Sequence, residues 1–226
     1  MNKILISVVS PSIRPEGLKI VKESLEKQTF PCNSFEWLVE LGIQSQGHTL
    51  NQAYNRMIKR AKGELIVSVQ DYMKLTPDYL QKFWDAYQKE PRTFFTAPVG
   101  KVDNLEYTGS PRWDWRAFSD DINESGMRDC RWDNWEIDSG CAPKSALFEI
   151  GGFDEELDAN WSCDNVNVGC RAELAGYKFK NLFINPSIVY DHDAYIEHPF
   201  RSKFKPIFNN MRMDEFRQGL KIDYLS

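Results

Sequence analysis

A carboxylate stands where an apolar run stops. Residues 65–69, LIVSV, lead directly into Gln70, Asp71 and Tyr72. An unpaired charge at the end of a buried strand is costly, and strand ends are where open α/β sheets place their ligands. Asp71 therefore either caps a turn or holds a ligand. Further groups with chemical capacity are Asp164, the run Asp191-His192-Asp193, and Trp113, Trp115, Trp132 and Trp135. The five cysteines form no C-x-x-C pair, so neither a zinc ribbon nor a disulfide framework is indicated, and buried free thiols are expected.

These residues need elements to position them. Hydrophobic residues make up 42 % of the 226 and charged residues 27 %, the balance of a globular protein. A net charge of −5 argues against the basic surface that nucleic acid requires. The opening MNKILISVVSPSIRP is interrupted by Ser10, Pro11 and Arg14 too early for a secretory signal. No stretch reaches the roughly 20 apolar residues of a membrane span. The expectation is a cytoplasmic chain without a transmembrane segment.

KILISVV (3–9) reads as a strand buried on both faces. Pro15 opens a helical stretch, with Leu18, Val21 and Leu25 on one face. FEWLVELG (35–42) is the next strand, and 48–63 a helix closed by Gly63. ELIVSV is the third strand, and 77–90 a helix with Pro77 at its first position. TFFTAPV (93–99) is a fourth strand. Strands alternating with helices predict a parallel sheet. There is neither a G-x-G-x-x-G nor a Walker loop, so a standard dinucleotide site and a P-loop are both excluded. Residues 101–138 lack periodicity and are rich in Trp, Asp and Arg. Helices return at 143–150 and 163–176, then a strand or two at 180–193 and a polar helical tail.

In this order, ISVVSPSIRPEGLKIVKESLEKQTF, FEWLVELG, LNQAYNRMIKRAKGELIVSVQDYMKLTPDYL, SGCAPKSALFEIGGFDEEL and CDNVNVGCRAELAGYKF resemble the blocks of a family 2 glycosyltransferase. The resemblance implies an α/β fold of the GT-A (Rossmann-like) type. That is a single domain with a mainly parallel central sheet flanked by helices, spanning 1–193. A nucleotide-binding half (1–100) precedes an acceptor-side half (101–193), and 194–226 form a C-terminal, helical tail.

The resemblance also implies roles. The family carries an Asp-x-Asp motif at the third strand end, whose acid holds a divalent metal, Mn²⁺ or Mg²⁺, against the donor diphosphate. Here that place reads Gln70-Asp71-Tyr72, with one acid. Asp71 and His192 are then the metal ligands, with Asp191 or Asp193 able to serve instead of His192. Pro11, Ser12, Arg14, Glu40, Asn51, Asn55, Gln70, Asp71 and Asp138 bind the donor. Glu40 replaces the usual Asp, with a solvated strand-end acid as its alternative; Arg14 could equally be a surface charge. The family's paired acids fall on Asp164 and Asn165. Asp164 is the catalytic base, or else a helix cap. Trp113, Trp115, Trp132 and Trp135 meet the acceptor through aromatic faces, or form a local core.

The function so implied is inverting transfer of a sugar from a nucleotide-diphosphate donor to an acceptor hydroxyl. A decayed relative that binds sugar nucleotide or glycan without transfer is the alternative, favoured by the acids missing at 70, 72 and 165. A nucleotidyltransferase would show a Gly-rich basic loop after the first strand, of which SPSIRPEG is a poor version.

Overall fold

The computed structural model describes residues 3–42, 49–71, 73–102, 112–113, 126–158, 164–182, 187–190 and 206–226. The strands are β1 (Ile6–Ser12), β2 (Phe35–Leu41), β3 (Leu65–Ser68), β4 (Met73–Lys74), β5 (Thr93–Thr96), β6 (Val99–Val102), β7 (Arg112–Trp113), β8 (Met127–Asp129), β9 (Gly140–Pro143), β10 (Lys178–Leu182) and β11 (Ser187–Tyr190). The helices are α1 (Leu18–Leu25), α2 (Leu50–Arg60), α3 (Tyr79–Lys89), α4 (Lys144–Glu149), α5 (Asp164–Leu174) and α6 (Pro206–Arg217).

The main sheet has the order β2-β1-β3-β9-β5-β10-β8. β1 is parallel to both β2 and β3, and β10 to β5, while β9 and β8 run antiparallel to their neighbours. The expected α/β architecture is thus present, as a mixed sheet. A smaller sheet, β4-β11-β6-β7, stands beside it.

Strand alternation divides the core. Leu65, Val67 and Phe95 pack with Val21 and Leu25 of α1 and Tyr79, Leu80 and Phe83 of α3. Ile66 and Phe94 pack on the other face with Tyr54, Met57 and Ile58 of α2, Leu147 of α4 and Val168 of α5. Helices on both faces explain why β1 and β3 read as continuous apolar runs.

Three expectations shift. The apolar run ends at Val9, yet β1 continues to Ser12. Its pairing with β3 stops at Val9 and Ser68, so Pro11, which has no N–H to give, lies where β2 alone flanks the strand. The strand expected over 93–99 divides at Ala97-Pro98 into β5 and β6, which belong to different sheets. Pro77 stands before α3 rather than inside it, because its carbonyl accepts from the Thr29 N–H at 2.8 Å.

Residues 206–226 fold back on the domain. Met213, Phe216 and Leu225 are buried, and the Tyr224 N–H donates to Gly151 O at 2.9 Å. Gly151 and Gly152 have φ of +81° and +84°. A Cβ on Gly151 would lie 1.9 Å from Ile222 O, and one on Gly152 2.8 Å from Leu225 Cγ. Glycine is required there by both the backbone conformation and the closeness of the C-terminal segment.

Candidate donor site

The parallel strands β1 and β3 end together. The Val69 N–H donates to Val9 O at 3.0 Å, which extends their alignment one residue past the ladder. The residues that follow each strand are thereby brought side by side. Ser12 Oγ donates to Asp71 Oδ2 at 2.6 Å and accepts from the Arg14 N–H at 2.9 Å. The Arg14 guanidinium grips the same carboxylate side-on, Nε to Oδ2 at 3.2 Å and Nη2 to Oδ1. Asp71 is 3 % exposed and the Arg14 side chain 16 %. The charge at the strand end is therefore compensated, and both its oxygens are engaged. Half-buried Pro11 and Gln70 adjoin the cluster in the chain.

Asp138 lies in the turn Ile137–Ser139 that leads into β9. Because β9 is antiparallel, its start lies beside the strand ends, and this turn touches β3. The Ser139 hydroxyl donates to Ala97 O at 2.8 Å, and Ala97 N–H donates to Ser139 O at 2.9 Å, which fixes the turn.

The other expected donor residues are tied elsewhere. Glu40 accepts from Arg56 Nε at 2.7 Å and Arg60 Nη2 at 2.8 Å, so the end of β2 is bound to α2. Asn51 donates from Nδ2 to Asp158 at 3.1 Å, and the backbone N–H groups of Asn51 and Gln52 donate to the same carboxylate at 2.8 and 3.1 Å. Asp158 thus satisfies amides that the start of α2 leaves unpaired. Burial raises its pKa to about 6, against the lowering effect of those amides. Asn55 is buried and brackets Phe153, giving Nδ2 to its carbonyl at 2.9 Å and accepting its N–H at 2.8 Å. Its bonding holds the turn after Gly152 rather than facing the strand ends.

Trp135 is fully buried and gives its indole N–H to Phe95 O at 3.0 Å, edge-on to Phe94. So placed, its ring is core and offers no face to an acceptor. Trp132 is half-buried and packs against the same core. Trp113 and Asp164 are described by backbone alone, the former in β7 and the latter opening α5. Trp115, Tyr72 and His192, with Asp191 and Asp193, lie outside the described residues.

One carboxylate carried no signal in the sequence. Asn165 Nδ2 donates to Glu136 Oε2 at 3.0 Å and to Trp135 O at 2.8 Å. The amide at 165 is thus tied to an acid from the aperiodic stretch. Glu136 sits two residues before Asp138 and is spaced in no recognisable pattern with Asp164.

The implied cation finds no ready seat here. Among the described residues no group of three or more His, Cys, Asp or Glu gathers that could hold a metal ion. The expected ligand, Asp71, is occupied by Arg14 and Ser12. A divalent cation at Asp71 would have to share the carboxylate with the guanidinium already paired to it. The donor set that is described, with its one expected carboxylate already paired to a guanidinium, does not fit the metal.

No family model matches the chain, and no curated protein does. Its fold is similar to that of S. aureus TarS. Against TarS 1–349 in complex with UDP the TM-score is 0.62 at 16 % identity, over 95 % of this chain and 71 % of TarS 1–349. Against TarS 1–349 in complex with UDP-GlcNAc it is 0.61 at 14 % identity, over 95 % and 72 %. Relative to the longer TarS structure the chain spans 43 % of the length. At this identity the likeness to TarS, a glycosyltransferase, is one of fold. No described helix is long and apolar enough to cross a membrane.

Proposed function

We propose that the chain is a glycosyltransferase of the family 2 type that moves a sugar from a nucleotide-diphosphate donor to an acceptor hydroxyl, with inversion. The observation that carries the reading is the Ser12–Arg14–Asp71 cluster. It stands where the aligned ends of β1 and β3 would receive a ligand, in a fold similar to that of a protein solved with UDP-GlcNAc.

In the reaction so proposed the acceptor oxygen forms a bond to the anomeric carbon on the face opposite the diphosphate. The bond from that carbon to the phosphate oxygen breaks, and its electron pair leaves with the nucleoside diphosphate. Asp164, at the start of α5, takes the acceptor proton. Positive charge preorganised at the diphosphate stabilises the leaving group as its charge develops. Asp138, in the turn before β9, is assigned to the donor sugar hydroxyls. Trp132, with Trp113 and Trp115, is assigned to the acceptor side, and Trp135 is withdrawn from that assignment because its ring is buried.

A second reading, sugar-nucleotide binding without transfer, is favoured by the amide at Asn165, which is spent on Glu136 and the Trp135 carbonyl. A thermal-shift panel of sugar nucleotides, followed by product analysis with the one that binds, tests both. Ligand at 100 times its Kd adds about 2.7 kcal/mol, which raises Tm by roughly 5–10 °C for a chain of this size. No shift with any sugar nucleotide overturns the proposal. A shift without transfer to any of a broad set of hydroxyl acceptors, and without donor hydrolysis, favours the second reading.

A further inference from the structure

We propose that Arg14 is the cation that meets the donor diphosphate, and that Asp71 is a positioning residue for Arg14 rather than a ligand for a metal. The inference rests on the sugar-nucleotide reading above and deepens it.

Three observations lead to it. First, both oxygens of the carboxylate are already bonded within the protein. Oδ2 takes the Ser12 hydroxyl at 2.6 Å and Arg14 Nε at 3.2 Å, and Oδ1 takes Arg14 Nη2. Second, the pair is screened from solvent, with Asp71 3 % and Arg14 16 % exposed. Stripping the guanidinium away to admit a divalent cation would break a buried, doubly hydrogen-bonded pair, which is strongly unfavourable. It would also leave two cationic groups next to each other. Third, the hydroxyl of Ser12 closes the arrangement, accepting the Arg14 backbone N–H at 2.9 Å while donating to Asp71. Both the backbone and the side chain of Arg14 are thus fixed at the ends of the parallel strands.

The chemistry suits a diphosphate. A guanidinium has five N–H donors in a rigid fork matched to phosphate oxygens. The side-on pairing with Asp71 uses the Nε edge, so the same group can bridge a carboxylate and a phosphate. A buried carboxylate behind it orients the fork and keeps it from swinging out. This account also gives a reason for Gln70. A site that relies on a guanidinium has no use for a second acid beside the first, which would draw off the charge meant for the ligand. Gln70 is neutral and half-buried at that place.

The test measures binding of UDP, GDP, dTDP, CDP and ADP by calorimetry, with EDTA and with Mn²⁺, to the parent and to variants whose thermal unfolding shows that they fold. The expected result is that the best diphosphate binds in EDTA within about 3-fold of its affinity in Mn²⁺. Arg14→Gln should weaken it by about 10- to 100-fold, the range for hydrogen bonds to charged groups. The matching nucleoside, which has no phosphate, should bind both proteins alike. Arg14→Lys keeps the charge without the fork and should lose less than Arg14→Gln; it also serves if the Gln variant does not fold. Asp71→Asn should weaken the diphosphate and spare the nucleoside. Binding that requires Mn²⁺ and is unaffected by Arg14→Gln would overturn the inference and leave the sugar-nucleotide reading standing. If no diphosphate binds the parent in either buffer, both fall.

Discussion

Replacing Arg212 by Met should cost the protein about 3 kcal/mol. Asp154 is a fully buried carboxylate, and Arg212 in α6 meets it through Nε at 2.9 Å and Nη2 at 3.1 Å. Beyond Arg212 it accepts the Glu156 N–H at 3.3 Å and the Tyr224 hydroxyl at 3.4 Å, both long, and the charge of buried Arg171 also acts on it. Met keeps most of the apolar stem that lies beside Phe216, so the change removes mainly charge and hydrogen bonds. Orphaning one member of a buried pair costs about 3–5 kcal/mol, and the two long hydrogen bonds place the expectation at the lower end. Against a typical total of roughly 5–15 kcal/mol this is a large fraction. Urea unfolding followed by tryptophan fluorescence at pH 7.5 measures it. The double variant Arg212→Met/Asp154→Asn should recover about 1–3 kcal/mol, because the loss comes from a buried charge stripped of its hydrogen-bonded partner. A loss under about 1 kcal/mol, with no recovery in the double variant, would place the pair among surface ion pairs and refute the reasoning.

Asp164→Asn preserves size and capping, so it should fold and bind donor while transfer falls by on the order of 100-fold or more; transfer at the parental rate would end its assignment as base. Asp158 has a folded pKa raised to about 6 by burial. Its stabilising share is therefore present below the ordinary carboxylate pKa and is lost as pH rises through about 6. Discounting for partial exposure, that swing is about 1–2 kcal/mol. Asp158→Asn should flatten the change in urea midpoint between pH 4.5 and 7.5, and parallel profiles would contradict the account. Gly152→Ala forces a side chain at φ +84° into Asn55 Oδ1 at 2.6 Å, and should cost more than Gly176→Ala. At Gly176, φ is +80° but nothing lies within 4 Å, so only the backbone penalty of about 1–2 kcal/mol applies. Equal losses of Tm in the two variants would show that crowding at Gly152 is relieved without cost.

The fold was legible wherever one physical signal dominated. LIVSV and ILISVV could be little but strands covered on both faces, and the stripes through Val21 and Met57 fixed the helices that cover them. Boundaries were legible only where the local chain decides them. The start of α3 is set by Gln28 and Thr29, which bond Leu80 N–H and Pro77 O from the end of α1, and no window around Pro77 contains them. Asp71, Ser12 and Arg14 each carried a signal, but their mutual pairing did not, since 57 residues separate Arg14 from Asp71. The residues read as nucleotide contacts on α2 proved to be bound within the fold, Asn51 to Asp158 and Asn55 to Phe153. An amide on a helix looks the same in sequence whether it faces a ligand or a turn. Glu136 had no signal because it lies in the aperiodic stretch, 29 residues from its partner Asn165.

The turn at Gly151 and Gly152 lies against Ile222 and Leu225, and this sets a timetable for biosynthesis. The main sheet is composed by residue 182, but the turn cannot take its final packing until about 70 further residues have followed it. At roughly 5–20 residues per second that interval is about 4–14 s. During it Asp154 lacks Arg212, and the core around Phe153 lacks Leu225. A nascent chain stalled short of residue 212 would therefore present a buried-acid turn without the hydrogen-bonded cation that pairs with it. Any label or fusion that delays docking of 206–226 should lengthen the time for which that unfinished surface is open to chaperones and proteases.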